Sequence, residues 1–336
     1  MKLKYLNIAI LILTIAALFF ELSRCSTAAG LVPGYPAWLV DGEKYPQQTS
    51  GITFIKNDEL GQPVFIICDD KQALHYLKVV DAEFTLTSIE IDSSVTDTIP
   101  PKVKLDMEDI AYDKYTNKVY ISIEPEKRYR QQFGIYELVF KDNDIFSGRV
   151  TGLKRLVITP DSLFHQYIED NTGYEGLAVD SNCLYLGLEG IKRGETSFDG
   201  SIIRVVDKKT LKIVATMLLD SLGVNTITGL AMADDGTLWG VDRNRLNFFN
   251  LKFDNKFTVT NIRVFNITNY IPGYHQYRYA AAIEAISLDK TGFVYLIDDP
   301  FTKEYVPVEN ILRKMDKKTE KRFKELVPII YKYKME

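Results

Sequence analysis

The sequence contains few cysteines, only 3 among 336 residues. Cys25 lies near the N-terminal end, whereas Cys68 and Cys183 occupy different positions of two sequence units that are not adjacent in the chain. Bridged cysteines need Cα atoms within about 7 Å of each other. We therefore expect Cys68 and Cys183 to be buried free thiols that pack like apolar side chains.

Local catalytic motifs are also missing. The sequence has no Gly-x-Ser-x-Gly, no glycine-rich phosphate loop and no Cys-x-x-Cys. Its 3 histidines do not have the spacing of a zinc-protease motif. We interpret them as turn or surface residues, although the last precedes a repeat unit closely enough to reach a site there: His75, His165 and His275.

An overall basic charge is absent as well. The formal net charge is −4, so no basic field attracts nucleic acid, and we expect no nucleic-acid partner. Residues 313–336 hold nine Lys/Arg and four Asp/Glu, a net of +5, which leaves about −9 on the rest of the chain. We interpret this basic end as a solvated edge strand, because lysines along an edge block unwanted strand pairing.

Only the N-terminal end carries a long apolar run. Lys2 and Lys4 precede an apolar stretch from Leu6 to Phe20, and small residues follow at 26–29. This pattern predicts that residues 1–29 are a cleaved signal peptide or an uncleaved N-terminal anchor. We expect an exported protein, periplasmic, secreted or on the cell surface, that meets the membrane only through this segment. Residues 30–48, which are rich in proline, predict a linker.

From residue 49 onward one pattern recurs five times. A short apolar strand opens on an anchor residue, a polar turn follows, and a second strand ends in a carboxylate. The copy at 173–189 is the clearest, and successive anchors lie 53 to 67 residues apart. The anchors are Ser50, Glu108, Glu175, Thr228 and Glu284.

Two more strand-like runs follow in each unit, which makes four strands per unit; in the last unit we place them at 310–315 and 321–327. A repeat of 50 to 60 residues with four strands is typical of a β-propeller. The sequence therefore predicts an all-β fold, a single propeller domain over residues 49–336. Five units favour five blades, while six would require a unit without an anchor residue.

This topology gathers carboxylates at one end of the channel. In an antiparallel pair the first strand begins where the second strand ends, and the first strand of each blade lines the channel. The anchors and the second-strand ends should therefore surround one mouth, and eight of these ten positions are acidic. The second-strand ends are Asp69, Glu124, Glu189, Asp242 and Asp298.

Carboxylates packed this closely repel one another, and three arrangements would relieve the repulsion. A hard cation such as Ca²⁺ takes six to eight oxygen ligands, with Glu108, Glu175 and Glu284 as the first candidates. Arginines near the mouth could pair with the acids, or the acids could cap backbone amides within each blade. The wider ligand set adds Glu189, Asp242 and Asp298, and the candidate arginines are Arg193, Arg243 and Arg278.

The repeated Glu-Gly-Leu-Ala, polar turn and Leu-Tyr-Leu-acid pattern resembles the phytase-like propellers, named for an "esterase-like activity of phytase", and the SdiA-regulated propellers. The best-matching segments are 174–189, 107–124 and 283–298. The resemblance implies an exported, calcium-dependent propeller with phosphoesterase activity. Ser50 and Thr228 depart from it because they lack the carboxylate.

Three functional classes follow from these observations. The first is a calcium-dependent hydrolase of phosphoric or carboxylic esters, acting on a small ester or another anionic ligand. The second is a non-enzymatic propeller that binds a ligand or a protein at its mouth, and the third is a lactonase-type ester hydrolase. The fold alone does not choose among them, because propellers host many chemistries. We expect a monomer in each case.

Overall fold

The computed structural model describes residues 29–96, 105–124, 132–192, 198–271, 281–300 and 305–335. The predicted leader lies outside these ranges apart from Ala29, as do Arg193, His275 and Arg278. Among the described residues, no helix is both long enough and apolar enough to cross a membrane. Cys68 and Cys183 are buried and free, as predicted.

The described chain is built from short antiparallel sheets. It begins with β1 (Ala29–Leu31) and β2 (Ala37–Trp38). The first sheet contains β3 (Thr49–Asn57), β4 (Pro63–Asp69), β5 (Ala73–Val80) and β6 (Glu83–Ile91). The second contains β7 (Met107–Asp113), β8 (Lys118–Ile123), β9 (Gly134–Phe140) and β10 (Arg149–Arg155), and a short parallel pairing of β10 with β6 joins it to the first.

The next two sheets repeat the four-stranded meander. The third contains β11 (Tyr174–Val179), β12 (Cys183–Leu188), β15 (Ile202–Asp207) and β16 (Lys212–Leu218), with the pair β13 (Ile191–Lys192) and β14 (Phe198–Gly200) inserted after β12. The fourth contains β17 (Gly229–Met232), β18 (Leu238–Asp242), β19 (Asn247–Phe253) and β20 (Val259–Asn266). Two single-turn helices, α1 (Ser93–Thr96) and α2 (Asp161–Phe164), lie in connections.

The fifth sheet joins the two ends of the described chain. It contains β21 (Ile283–Leu288), β22 (Val294–Asp298) and β23 (Ile329–Met335), and β1 and β2 pair with the far side of β23. Ala29 lies opposite Met335, and Ala37 lies opposite Ile330. The stretch that the sequence assigns to a linker thus contributes two strands to this sheet.

The innermost strands form a closed ring. Contacts run from β3 to β7, β11, β17 and β21, and β21 contacts β3 again. Apolar side chains fill the space between neighbouring sheets; for example, Ala178 and Tyr185 pack with Leu230 and Phe249. The predicted all-β propeller of four-stranded units is confirmed. The count of five blades stays a prediction for the whole chain, because several connections lie outside the described ranges.

The outer strands predicted for the last unit are wrong. Residues 309–324 instead form α3 (Glu309–Leu312) and α4 (Lys317–Lys324). The Asp316 side chain caps α4 by accepting hydrogen bonds from the amides of Lys318 and Thr319, and Glu320 pairs with Lys324 one turn later. The basic end is not an edge strand either, because β23 lies inside its sheet with Tyr331 and Tyr333 fully buried.

A local irregularity explains the anchor pattern. In β3, β7, β11 and β21 the pairing register shifts at the anchor, so the ladder contains one extra residue there. Such bulges re-aim side chains and are common beside functional sites. The residue after the anchor meets the next inner strand: a Cβ on Gly229 would lie 2.4 Å from the Glu284 carbonyl oxygen. Glycine therefore follows the anchors Ser50 and Thr228, because a Cβ at the next position would collide with the backbone of the neighbouring inner strand.

Candidate functional site

One end of the channel carries a ring of carboxylates, here called the acidic mouth. Its members either begin a first strand or follow a second strand of the sheets. Each is buried or partly buried. The acidic mouth consists of Asp70, Asp106, Glu108, Glu124, Glu175, Glu189, Glu284 and Asp299, together with Arg243.

Three buried carboxylates of the mouth lie close together and are here called the inner triad: Glu124, Glu175 and Glu189. One carboxylate oxygen from each lies within 4.8 Å of the others, and all three side chains are buried. Glu124 Oε1 and Glu189 Oε2 have no hydrogen-bond partner among the described residues. Burial raises the pKa of all three, and the neighbouring carboxylates raise those of Glu124 and Glu175 further.

Arg243 is the arginine that pairs with mouth carboxylates among the described residues. It begins a short 3-10 turn after β18 and donates hydrogen bonds to Glu189 Oε1 at 2.8 Å and to Glu284 Oε1. Its side chain is only 16% exposed, so this charge acts in a partly dry setting. Burial raises the pKa of Glu284 to about 7, and Arg243 opposes that rise. The arginine therefore neutralises one part of the ring.

A second group, the outer triad, is formed by Asp70, Asp106 and Glu108. One oxygen from each lies within 4.8 Å of the others, and all three side chains are partly exposed. Ser50 Oγ donates a hydrogen bond to Asp70 Oδ1. Burial raises the pKa of Asp70 to about 7 despite this bond, and the Asp106 and Asp69 carboxylates add to the rise.

Some strand-end acids cap backbone groups instead. Asp242 accepts from the Asn225 amide at 2.9 Å and from Thr226 Oγ1 at 2.8 Å. Asp69 accepts from three amides, and Asp298 accepts from the Ile329 amide. Two of the three arrangements that the sequence left open, arginine pairing and capping, thus occur side by side.

The six mouth carboxylates predicted from the sequence therefore separate into distinct roles. Glu175 and Glu189 meet in the inner triad, and Glu108 belongs to the outer one. Glu284, predicted as a metal ligand, is bonded to Arg243, and Asp242 and Asp298 are capping residues. Arg193 and Arg278 lie outside the described residues.

Sequence reasoning missed Asp106 altogether and placed Asp70 only alongside the predicted mouth positions, not among the candidate ligands. The available signal was side-chain alternation, since successive residues of a strand point to opposite faces. Asp106 and Glu108 are two residues apart, so both can face the mouth. Asp70 follows Asp69, so one of this pair caps the blade while the other faces the mouth.

The acidic mouth should make stability fall as pH rises when no cation is supplied. The folded pKa values of Asp70 and Glu284 are both raised to about 7. Between about pH 4 and pH 7 the folded chain therefore holds protons that the unfolded chain has lost. We expect the melting midpoint in chelator to decrease over this interval, measured by thermal unfolding. A midpoint that rises steadily from pH 4.5 to pH 7 would contradict the prediction.

The other end of the channel has a different character. A cavity of about 760 Å³ opens there, lined by inner-strand residues that include Phe54, Tyr112 and Met232. An ion pair between Lys114 and Asp234 lies at its rim. The channel is thus strongly acidic at one end and mixed apolar and polar at the other.

No protein-family model matches the chain, and no curated protein matches it in sequence. Among solved structures, the PQQ-bound aldose sugar dehydrogenase from Streptomyces coelicolor is 11% identical with a TM-score of 0.47, covering 92% of this chain and 98% of its own. A luciferin-regenerating enzyme is 11% identical with a TM-score of 0.43, covering 91% and 94%. The calcium-binding protein regucalcin from Agrobacterium tumefaciens is 10% identical with a TM-score of 0.40, covering 89% and 93%. These likenesses are too weak to carry an argument about function.

Proposed function

We propose that this chain is an exported, calcium-dependent ester hydrolase and that its inner triad holds the Ca²⁺ ion. The observation that carries the proposal is the convergence of three buried carboxylates, two of which have an oxygen without a partner among the described residues. A buried carboxylate oxygen without a donor is costly unless a cation or a proton meets it. Ca²⁺ prefers such hard oxygen ligands, whereas zinc prefers histidine and cysteine, and neither residue type is among the described members of the acidic mouth.

Arginine pairing does not account for the whole ring. Arg243 bonds Glu189 through Oε1 only, and the other oxygen of that carboxylate remains without a partner among the described residues. Within the part of the chain that the structure describes, the acidic mouth combines eight carboxylates with the guanidinium of Arg243. Like charges at this spacing favour either protonation or a bound cation. A divalent ion on the inner triad would meet the two carboxylate oxygens, Glu124 Oε1 and Glu189 Oε2, that have no hydrogen-bond partner among the described residues.

Hydrolysis is the chemistry that best suits such a mouth. A bound divalent ion supplies Lewis-acid polarisation of an ester oxygen. Carboxylates with raised pKa values, such as Glu284 at about 7, are able to exchange a proton near neutral pH. The sequence resemblance to phytase-like propellers supports this class over a purely binding propeller.

Glu124→Gln tests the cation site because it keeps the shape of the side chain and removes its charge. We expect millimolar Ca²⁺ to raise the wild-type melting midpoint by a few degrees over chelator, since a hundredfold excess over Kd contributes about 2.7 kcal/mol. The variant should lose most of that rise. Glu83→Gln is the matched control, because Glu83 is exposed on the outermost strand β6, and it should respond like wild type.

The catalytic part of the proposal has a separate readout. Hydrolysis of p-nitrophenyl phosphate and p-nitrophenyl acetate by wild type should require Ca²⁺ and should be lost in Glu124→Gln. An unchanged melting midpoint with and without Ca²⁺ would show that the cation site is wrong. Cation binding without hydrolysis of either ester would indicate a binding propeller instead.

A further inference from the structure

The two ends of the described chain meet at one end of the channel. In the fifth sheet, β21 starts at the acidic mouth, where Glu284 is its second residue, and β22 returns to the mouth at Asp298. β23 is antiparallel to β22, so it runs away from the mouth and ends at Met335, which lines the cavity of about 760 Å³. Ala29, the first residue of β1, lies opposite Met335. The chain therefore enters the propeller beside the cavity and not beside the mouth.

The turns that follow the five inner strands surround this cavity and are here called the cavity end. They comprise residues 58–62, 114–117, 180–182, 233–237 and 289–293. We propose that the N-terminal segment 1–28 holds the propeller to a lipid membrane by its cavity end, so that the acidic mouth faces away from the lipid. This inference shares only the export of the chain with the proposed function. A ligand of the mouth would then arrive from the aqueous side.

The length of chain before β1 favours this orientation. The apolar run ends at Phe20, so eight residues, 21–28, separate it from Ala29. Eight residues span at most about 28 Å when fully extended. To bring the mouth against the lipid, they would have to run back along the fifth sheet, where the seven residues of β23 measure about 23 Å. That arrangement uses most of the available reach and costs conformational entropy, whereas attachment by the cavity end requires neither.

The entry point is held within the sheet and has a basic side chain beside it. Tyr270 Oη donates a hydrogen bond to the Ala29 carbonyl oxygen at 3.3 Å, and Gly30 lies opposite Lys334. Lys334 is exposed at this end of β23. An ammonium group close to the membrane attracts anionic lipid headgroups, whereas a group of carboxylates is repelled by them. Charge at the entry point therefore favours the same orientation as the short segment does.

The acids of the cavity end are also better balanced than those of the mouth. The mouth combines eight carboxylates with the guanidinium of Arg243 among the described residues. At the cavity end, three ion pairs neutralise acids in or beside the turns: Asp58 with Lys78, Asp234 with Lys114, and Asp113 with Lys208. An anionic lipid surface would thus repel the cavity end less than it repels the mouth.

Energy transfer to lipid measures the orientation of the full-length chain on vesicles of phosphatidylcholine and phosphatidylglycerol. A donor dye is placed at an exposed lysine changed to cysteine, either Lys290→Cys at the cavity end or Lys71→Cys between β4 and β5 at the mouth. Both variants carry Cys25→Ser, and the other native cysteines are buried. With acceptor-labelled headgroups, quenching at Lys290→Cys should be at least about twofold stronger, because about 20 Å of strand separates the two ends.

The chain lacking residues 1–28 keeps every described residue and is the control for attachment. In a flotation assay the full-length chain should rise with the vesicles, and the shortened chain should stay in solution. Equal or stronger quenching at Lys71→Cys would overturn the orientation. A full-length chain that does not float, or a shortened chain that does, would overturn attachment through the N-terminal segment. Neither measurement involves Ca²⁺ or an ester, so either result is independent of whether the proposed hydrolase activity is found.

Discussion

Asp109→Ala is expected to lower the free energy of unfolding by about 3 kcal/mol or more, because it removes one acceptor shared by three inner strands. Asp109 is fully buried. Its Oδ2 accepts from the Leu177 amide at 2.6 Å and from the Leu230 amide at 3.1 Å, and its Oδ1 accepts from the Ile110 amide at 2.8 Å. The single carboxylate thus joins β7 to β11 and β17. Each buried amide left without a partner costs about 1–3 kcal/mol.

Asp109→Asn separates hydrogen bonding from charge. The amide oxygen of Asn can still accept from Leu177 and Leu230, so we expect a smaller loss than with Ala. Thermal and urea unfolding of both variants measure the difference, and Glu59→Ala on an exposed turn is the surface control, expected within about 0.5 kcal/mol of wild type. A loss below about 1 kcal/mol for Asp109→Ala would show that the three strands do not depend on this acceptor.

Asp109 also shows where sequence reasoning stops. The repeat made the inner strands and their acidic starts predictable, because alternation and period are visible in one dimension. The sequence does not show which residue of the pair Glu108-Asp109 faces the mouth and which one points between the inner strands. The register shift at this position adds a residue to the ladder and breaks strict alternation. A bulge is set by contacts with the neighbouring strand, which lie outside any local pattern.

The fifth sheet was hidden for a different reason. Its last strands come from β23 and from β1, which are separated by almost the whole chain. No local pattern records that Ala29 will lie opposite Met335. Strand pairing of this kind follows from closing the ring, since an open ring would leave β23 as an unpaired edge. The repeat pattern predicted strands within residues 309–324. The structure forms helices there instead, because a capping side chain and ion pairs between successive turns stabilise them.

The position of Arg243 was likewise beyond prediction in detail. Sequence proximity placed three arginines near the mouth, and the structure brings Arg243 between two carboxylates from different sheets. The turn that carries it is held by Asp242, whose Oδ1 accepts from the Arg245 amide at 3.3 Å. Asp242, which the sequence analysis included among the candidate cation ligands, therefore helps to position Arg243.

Arg243→Gln is expected to destabilise the chain in chelator by about 3–5 kcal/mol, because it leaves Glu189 and Glu284 buried without their cation. The same change frees one carboxylate oxygen of Glu189, within the inner triad, and one of Glu284. Ca²⁺ should therefore raise the melting midpoint of Arg243→Gln by more than it raises that of wild type. Arg243→Lys is the matched control, since its single ammonium keeps the charge but cannot bond both carboxylates in the fork geometry of a guanidinium.

Thermal unfolding of the three proteins, in chelator and in millimolar Ca²⁺, gives the whole comparison. In chelator, wild type should have the highest melting midpoint, Arg243→Lys a lower one and Arg243→Gln the lowest. Ca²⁺ should make the differences between these midpoints smaller. Arg243 and the ion would then be two cations that share one set of carboxylates. If Ca²⁺ stabilises wild type and Arg243→Gln equally, the guanidinium and the ion act on separate carboxylates. If Arg243→Gln is as stable as wild type in chelator, Glu189 and Glu284 are held as neutral acids.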